Sequence, residues 1–172
     1  ALPASLIKEK QLKFFSLKDN MHPYVVRAES ESGVSRKGKQ VHVKMVAIRS
    51  HFAPDMIEGV EVGDTVYWHV TNIEQDWDIL HGFAVLGMQT AELVLQPGET
   101  RTITWTPRTA GVYPFYCTDF CSALHQEMQG YVRVSAPGSG VQLSAGLSPR
   151  SATQQARAAA LPGLPMTSGF VS

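Results

Sequence analysis

Cys117, Cys121, His125 and Met128 fall in a single run of twelve residues, Cys117-Thr-Asp-Phe-Cys121-Ser-Ala-Leu-His125-Gln-Glu-Met128, which holds both cysteines of the chain. Two thiols, an imidazole and a thioether are soft to borderline donors, and that mixture favours copper over magnesium, calcium or manganese. Zinc takes cysteine and histidine but makes little use of a thioether. One cysteine with histidine and methionine belongs to a mononuclear blue-copper site. The second cysteine changes the count. Two sulfurs can bridge a pair of copper ions, so the run reads as a dinuclear electron-transfer centre.

One histidine cannot serve two metal ions, so a second must come from elsewhere. The chain offers His22, His42, His51, His69, His81 and His125. His81 is the strongest candidate, in Asp78-Ile-Leu-His81-Gly-Phe-Ala-Val85. An apolar run follows it, and Gly82 lets backbone approach closely beside a ligand. A ligand at the start of a strand, facing a donor-rich loop far along the chain, closes a site at one end of a β-barrel. His42 and His69 sit in alternating strand patterns and read as partly exposed strand residues. His51, ahead of Phe52-Ala-Pro54, reads as a loop residue held in reserve.

The cysteine run, taken with Asp78-Ile-Leu-His81-Gly-Phe83, resembles the CuA-type domain of nitrous-oxide reductases. It is more distantly similar to the CuA domain of cytochrome c oxidase subunit II. In that family two cysteine sulfurs bridge two coppers in a mixed-valence pair, and each copper gains one histidine. Weaker contacts come from a methionine sulfur and from a main-chain carbonyl two residues after the first cysteine. The resemblance implies Cys117 and Cys121 as bridges, with His81 and Met128 on one copper. His125 and the main-chain oxygen of Asp119 then serve the other. Asp119 stands where many of the reductases have Trp and oxidases have Glu, a difference of little weight when only main chain binds. Ser122 and Gln126 replace the Gly and Ser usual in oxidase subunits, so the loop is similar to the reductase version. Met21-His-Pro-Tyr-Val-Val-Arg-Ala-Glu29 and Ser35-Arg-Lys-Gly38 are similar to the connector that precedes the copper domain in reductases.

The resemblance covers residues 20 to 135 and implies a cupredoxin Greek-key β-barrel or sandwich. It implies electrons entering from a c-type cytochrome or a cupredoxin. They leave for a catalytic copper cluster that reduces N₂O to N₂ and water. In the family that cluster lies in a histidine-rich β-propeller domain, often on the partner subunit of a homodimer, and the enzyme is periplasmic. This stretch would then relay electrons without itself reducing N₂O. Thiolates shared between two coppers delocalise the odd electron, so bond lengths change little on transfer. Apolar neighbours such as Phe83, Phe115, Phe120 and Leu124 would keep water out and tune the site, while also serving as ordinary core.

Composition bounds the other possibilities. The 172 residues suit one domain with extensions, and 44% apolar content is enough for a core. Fifteen basic and fifteen acidic residues balance, which gives no support for nucleic-acid or membrane-surface binding. No apolar run approaches the roughly 18 residues that span a bilayer. The chain starts with Ala and shows no signal peptide, so any targeting sequence is expected upstream.

Along the chain, residues 1–40 are poorly periodic and read as a connector, with 29–39 a polar, turn-rich linker or surface loop. Strand patterns follow at 41–48, 65–71, 81–85, 91–95, 100–106, 112–117 and 131–134. Val66, Trp68 and Val70 share one face. Turn signals at Gly63-Asp64, Gln96-Pro-Gly98 and Ala110-Gly111 separate them. Many short strands at close spacing make an all-β sandwich or barrel over 41–135. From 136 to 172, Ala, Ser, Gly and Pro dominate, and the segment reads as a flexible or partner-docked tail. Asp76-Trp77-Asp78 reads as a solvated loop, or as an acidic, aromatic rim for an electron donor.

Two other functions, and one bland alternative for the cysteines, remain open. A soluble CuA domain of a terminal oxidase subunit shares the donor set. A copper chaperone of the thioredoxin-like type also uses C-x₃-C with a distant histidine, though no βαβ pattern surrounds this pair. In an oxidising compartment the two cysteines could instead form a disulfide.

Overall fold

The computed structural model describes residues 23–48, 51–74, 78–88, 92–118, 128–149 and 151–152. Among them lie one helix, α1 (Pro23–Glu31), and eleven strands. The strands are β1 (Gly33–Lys37), β2 (Gln40–Ile48), β3 (His51–Ala53), β4 (Met56–Glu61), β5 (Thr65–Asn72), β6 (His81–Val85), β7 (Leu93–Leu95), β8 (Thr100–Trp105), β9 (Gly111–Tyr116), β10 (Gln129–Ser135) and β11 (Ser144–Gly146). None of the described helices is long and apolar enough to cross a membrane.

The strands form two sheets that stack without closing into a barrel. One runs β1-β2-β5-β8, with β3 also paired to β2; the other runs β11-β4-β10-β9-β6-β7. Side chains alternate across a strand, so one face of each can be apolar. In β5, Val66, Trp68 and Val70 are fully buried while Tyr67 and His69 lie between them on the outer face. Val41, Val43, Met45 and Ala47 of β2 do the same, and they meet Phe83, Phe115, Val132 and Val134 from the opposite sheet. Phe52, Trp68, Phe83 and Phe115 join at centroid separations of 5.4 to 5.7 Å. Truncating one such buried ring typically costs about 3–5 kcal/mol.

The last turns of β2 depart from alternation because their outer face is also covered. Val46 and Ile48 point away from the main core, and α1 lays Val25 over them with Ala53 and Ile73. A second small core results, at the end of the sandwich where β6 begins.

Several stretches differ from their sequence reading, among them α1 in the expected connector and β3 and β4, where no strand was expected. Residues 33–37, polar enough to suggest a linker, pair with β2 from Gly33↔Lys44 to Lys37↔Gln40. Gly38, at a φ of 61°, makes the tight reversal. They are polar because β1 is an exposed edge. The segment after 135 also docks in part: β11 pairs antiparallel with β4, Ser144↔Glu58 to Gly146↔Met56. Beyond it, the buried Asp55 carboxylate accepts hydrogen bonds from Ser148 N at 2.6 Å, and from Ser148 Oγ and Ser151 Oγ at 2.7 Å each. Residues 153–172 lie outside the described residues.

Candidate metal centre

Three of the six expected ligands are described, and all three meet at one end of the sandwich. His81 opens β6, Cys117 follows the last residue of β9, and Met128 precedes β10. β9 and β10 are antiparallel, and their ladder ends at Gln129↔Tyr116. Cys117 N then donates to Met128 O at 3.0 Å, closing the base of the loop that carries Cys121 and His125. Cys121, His125 and Asp119 lie outside the described residues, as do Phe120 and Leu124.

β6 is the other neighbour of β9, with Ala84↔Tyr116 and Val85↔Phe115 in register. That pairing carries His81 to Cys117: Nδ1 lies 3.9 Å from Sγ. The Gly82 amide donates to the same sulfur at 3.5 Å. His81 is wholly buried, and Cys117 and Met128 are nearly so.

The far side of the His81 ring is held by Glu74, a residue that no motif singled out. Nε2 lies 3.0 Å from Glu74 Oε1, and neither side chain touches solvent. A carboxylate accepts, so Nε2 carries the proton and Nδ1 turns its lone pair toward Cys117. Glu74 is itself fixed, its amide donating to Asn72 Oδ1 at 2.9 Å. Asn72 Nδ2 donates to the carbonyls of Ile79 and Leu95, at 2.9 and 3.0 Å. Burial alone would lower the His81 pKa, but hydrogen bonds that the protonated ring donates to Cys117 and Glu74, with the charge of both, raise it.

The remaining described histidines stand apart from this arrangement. His42 Nδ1 and His69 Nε2 are 2.8 Å apart on the half-buried outer face of β2 and β5. His69 Nδ1 also pairs with Thr102 Oγ1 at 2.7 Å. His51 is in β3 rather than a loop and is buried, with no hydrogen-bond partner at Nδ1. Burial holds its pKa down to about 4, Asp55 opposing the shift and His81 adding to it. Of the expected docking rim, Asp78 is exposed and Asp76 and Trp77 lie outside the described residues.

The donors fit a metal ion. A thiolate bond of about 2.3 Å and an imidazole bond of about 2.0 Å reach a little over 4 Å end to end. The 3.9 Å between Cys117 Sγ and His81 Nδ1 suits two donors on one ion at an obtuse angle. The carboxylate behind the imidazole is the outer partner that metal-bound histidines usually have.

The chain is 34% identical over 131 residues to the nitrous-oxide reductase of Cupriavidus necator, covering 76% of this chain and 19% of that protein. It is 35% identical over 109 residues to the nitrous-oxide reductase of Pseudomonas fluorescens, covering 63% of this chain and 17% of that protein. Against cytochrome c oxidase subunit 2 of Thermus thermophilus, identity is 30% over 122 residues, covering 67% of this chain and 86% of that protein. The chain thus spans about a fifth of the length of the reductases it matches. No family model matches it. A solved heme-copper terminal oxidase dimer shares the fold, at a TM-score of 0.52 and 23% identity over 61% of this chain and 71% of that one. With its stacked sheets and its His81–Cys117 end, the chain belongs to the CuA-type cupredoxin domains shared by nitrous-oxide reductases and cytochrome c oxidase subunit 2.

Proposed function

We propose that this chain is the dinuclear-copper electron-relay domain of a nitrous-oxide reductase. The observation that carries the reading is the buried approach of His81 Nδ1 to Cys117 Sγ, 3.9 Å apart, at the base of the loop bearing the other donors. Cys117 and Cys121 would bridge two coppers, with His81 and Met128 on one and His125 and the Asp119 carbonyl on the other. When bound, such a pair stores and releases one electron with little change in its bonds. The chain's own residues keep that change small. Glu74 fixes the His81 ring, and the Gly82 amide supports the sulfur. The aromatic core beneath, with Phe83 and Phe115, excludes water.

In this reading electrons arrive from a c-type cytochrome or a cupredoxin in the periplasm. They pass on to a catalytic copper cluster that reduces N₂O, in a propeller domain of the partner subunit. Copper counting and electron paramagnetic resonance test the centre. Two equivalents of copper with a seven-line hyperfine pattern are expected, since two copper nuclei share one unpaired electron. One equivalent, with both thiols still reactive, sinks the reading.

A second reading, the CuA domain of an oxidase subunit 2, is favoured by the 86% coverage of the Thermus subunit. The two part on the rest of the polypeptide. A histidine-rich propeller segment supports the reductase, and apolar membrane helices support the oxidase.

A further inference from the structure

Helix α1 grips the sandwich at a pair of neighbouring residues. Its Val25 packs on Ile73 in the small second core. Its Tyr24 hydroxyl donates to the main-chain carbonyl of the next residue, Glu74, at 2.5 Å across fifty positions of sequence. Glu74 is thereby held at three points. Asn72 takes its amide, Tyr24 its carbonyl, and His81 its carboxylate.

These points are not interchangeable. The Asn72 contact fixes where the chain enters Glu74, at the end of β5. The Tyr24 contact fixes the carbonyl on the other side of the same Cα, where the chain leaves toward His81. Fixing both flanks restricts φ and ψ of Glu74, and with them the direction in which its carboxylate points. A carboxylate that drifts off Nε2 releases the His81 ring, whose Nδ1 then loses its set distance from Cys117 Sγ. The helix, which precedes the first strand, is in this way coupled to the ring through four groups.

We propose that Tyr24 is a positioning residue for the metal centre. Its hydroxyl locks the Glu74 main chain, and so keeps the Glu74 carboxylate on His81 and the imidazole aimed at Cys117. The inference rests on His81 and Cys117 being ligands, as proposed above. It adds that the segment upstream of the sheets belongs to the support of the site.

Tyr24→Phe in the full chain removes the hydroxyl and keeps the ring that packs beside Val25. In the metal-free protein, nitrogen-resolved NMR of the His81 imidazole reads solvent exchange of Nε2–H. Loss of one supporting hydrogen bond is expected to speed that exchange about five- to tenfold. In the copper-loaded protein, the copper hyperfine splitting is expected to shift from that of the unmodified chain. Val25→Ala loosens the same helix and leaves the hydroxyl in place; it should lower thermal stability while moving the ring exchange far less. Unchanged exchange and splitting in Tyr24→Phe overturn the proposal, as does an equal acceleration in Val25→Ala. If the unmodified chain takes up no copper, the functional reading fails instead. The metal-free measurement still decides whether Tyr24 holds the ring.

Discussion

Two buried histidines, His81 and His51, are sent in opposite directions by their surroundings. His81 has Glu74 against Nε2 and the Cys117 sulfur 3.9 Å from Nδ1, and its pKa is raised despite burial. His51 is buried but less deeply, lacks a partner at Nδ1, and has its pKa held down to about 4. The consequence for stability follows from the sign. In the unfolded chain an imidazole binds its proton near pH 6.5. Between there and pH 4, the unfolded state holds a proton that folded His51 refuses. Stability is therefore complete above pH 6.5 and drains as pH falls, by about 2 kcal/mol between pH 7 and pH 5. Urea unfolding of the metal-free chain at those two values should show this gradient, and His51→Phe should remove most of it. A gradient that survives the substitution means other groups carry it. The sequence distinguished these two residues only in part. Gly82 and the apolar run marked His81, whereas the loop-like Ala53-Pro54 concealed the burial of His51. Glu74 was not legible at all, because in the acidic run Glu74-Gln-Asp76-Trp-Asp78 one carboxylate looks like the next whether it is solvated or set behind an imidazole.

At the scale of elements, what positions the centre is a hairpin base and its neighbour. β9 and β10 end together, Cys117 N bonds Met128 O, and β6 lies alongside so that His81 faces the same point. These strands were readable from alternation and turn residues. β1, β3, β4 and β11 were not, each for a physical reason; in β4, Gly59 interrupts the alternation. β1 is a polar edge, and β3 and β11 are three residues each, too short to show a period. β11 depends on Gly59 in β4, whose φ is 85° and whose missing Cβ would sit 2.3 Å from the Gln142 carbonyl oxygen. Gly59→Ala has to adopt a left-handed backbone at a cost of about 1–2 kcal/mol and must also displace the incoming segment. We expect a lower urea midpoint of at least that size. Limited proteolysis should reveal new cleavage between residues 136 and 149 while the sheets stay intact. An alanine variant as resistant as the parent would show that β11 is held by Asp55 and its serines alone.

At the scale of the molecule, the described strands pack into one sandwich with His81, Cys117 and Met128 at one end. The two sheets share an aromatic and aliphatic core, and the described candidate ligands sit in strands of that core or immediately beside them. Rapid electron transfer needs a scaffold that does not rearrange when charge changes, and close-packed interiors resist deformation. If the scaffold is set before metal enters, binding should add stability by mass action without remodelling the sheets. Amide NMR can separate these effects, comparing the metal-free chain with the fully reduced, diamagnetic copper-loaded form. Shifts should concentrate on residues 72–83 and 115–130, with β8 and the β1–β2 hairpin unmoved, while the melting temperature rises. Because α1 touches Glu74 through Tyr24, a smaller response in α1 is also expected. Shift changes spread evenly through both sheets would mean that copper organises the fold rather than entering a prepared site. The small reorganisation on which the relay depends would then have to come from the metal pair itself.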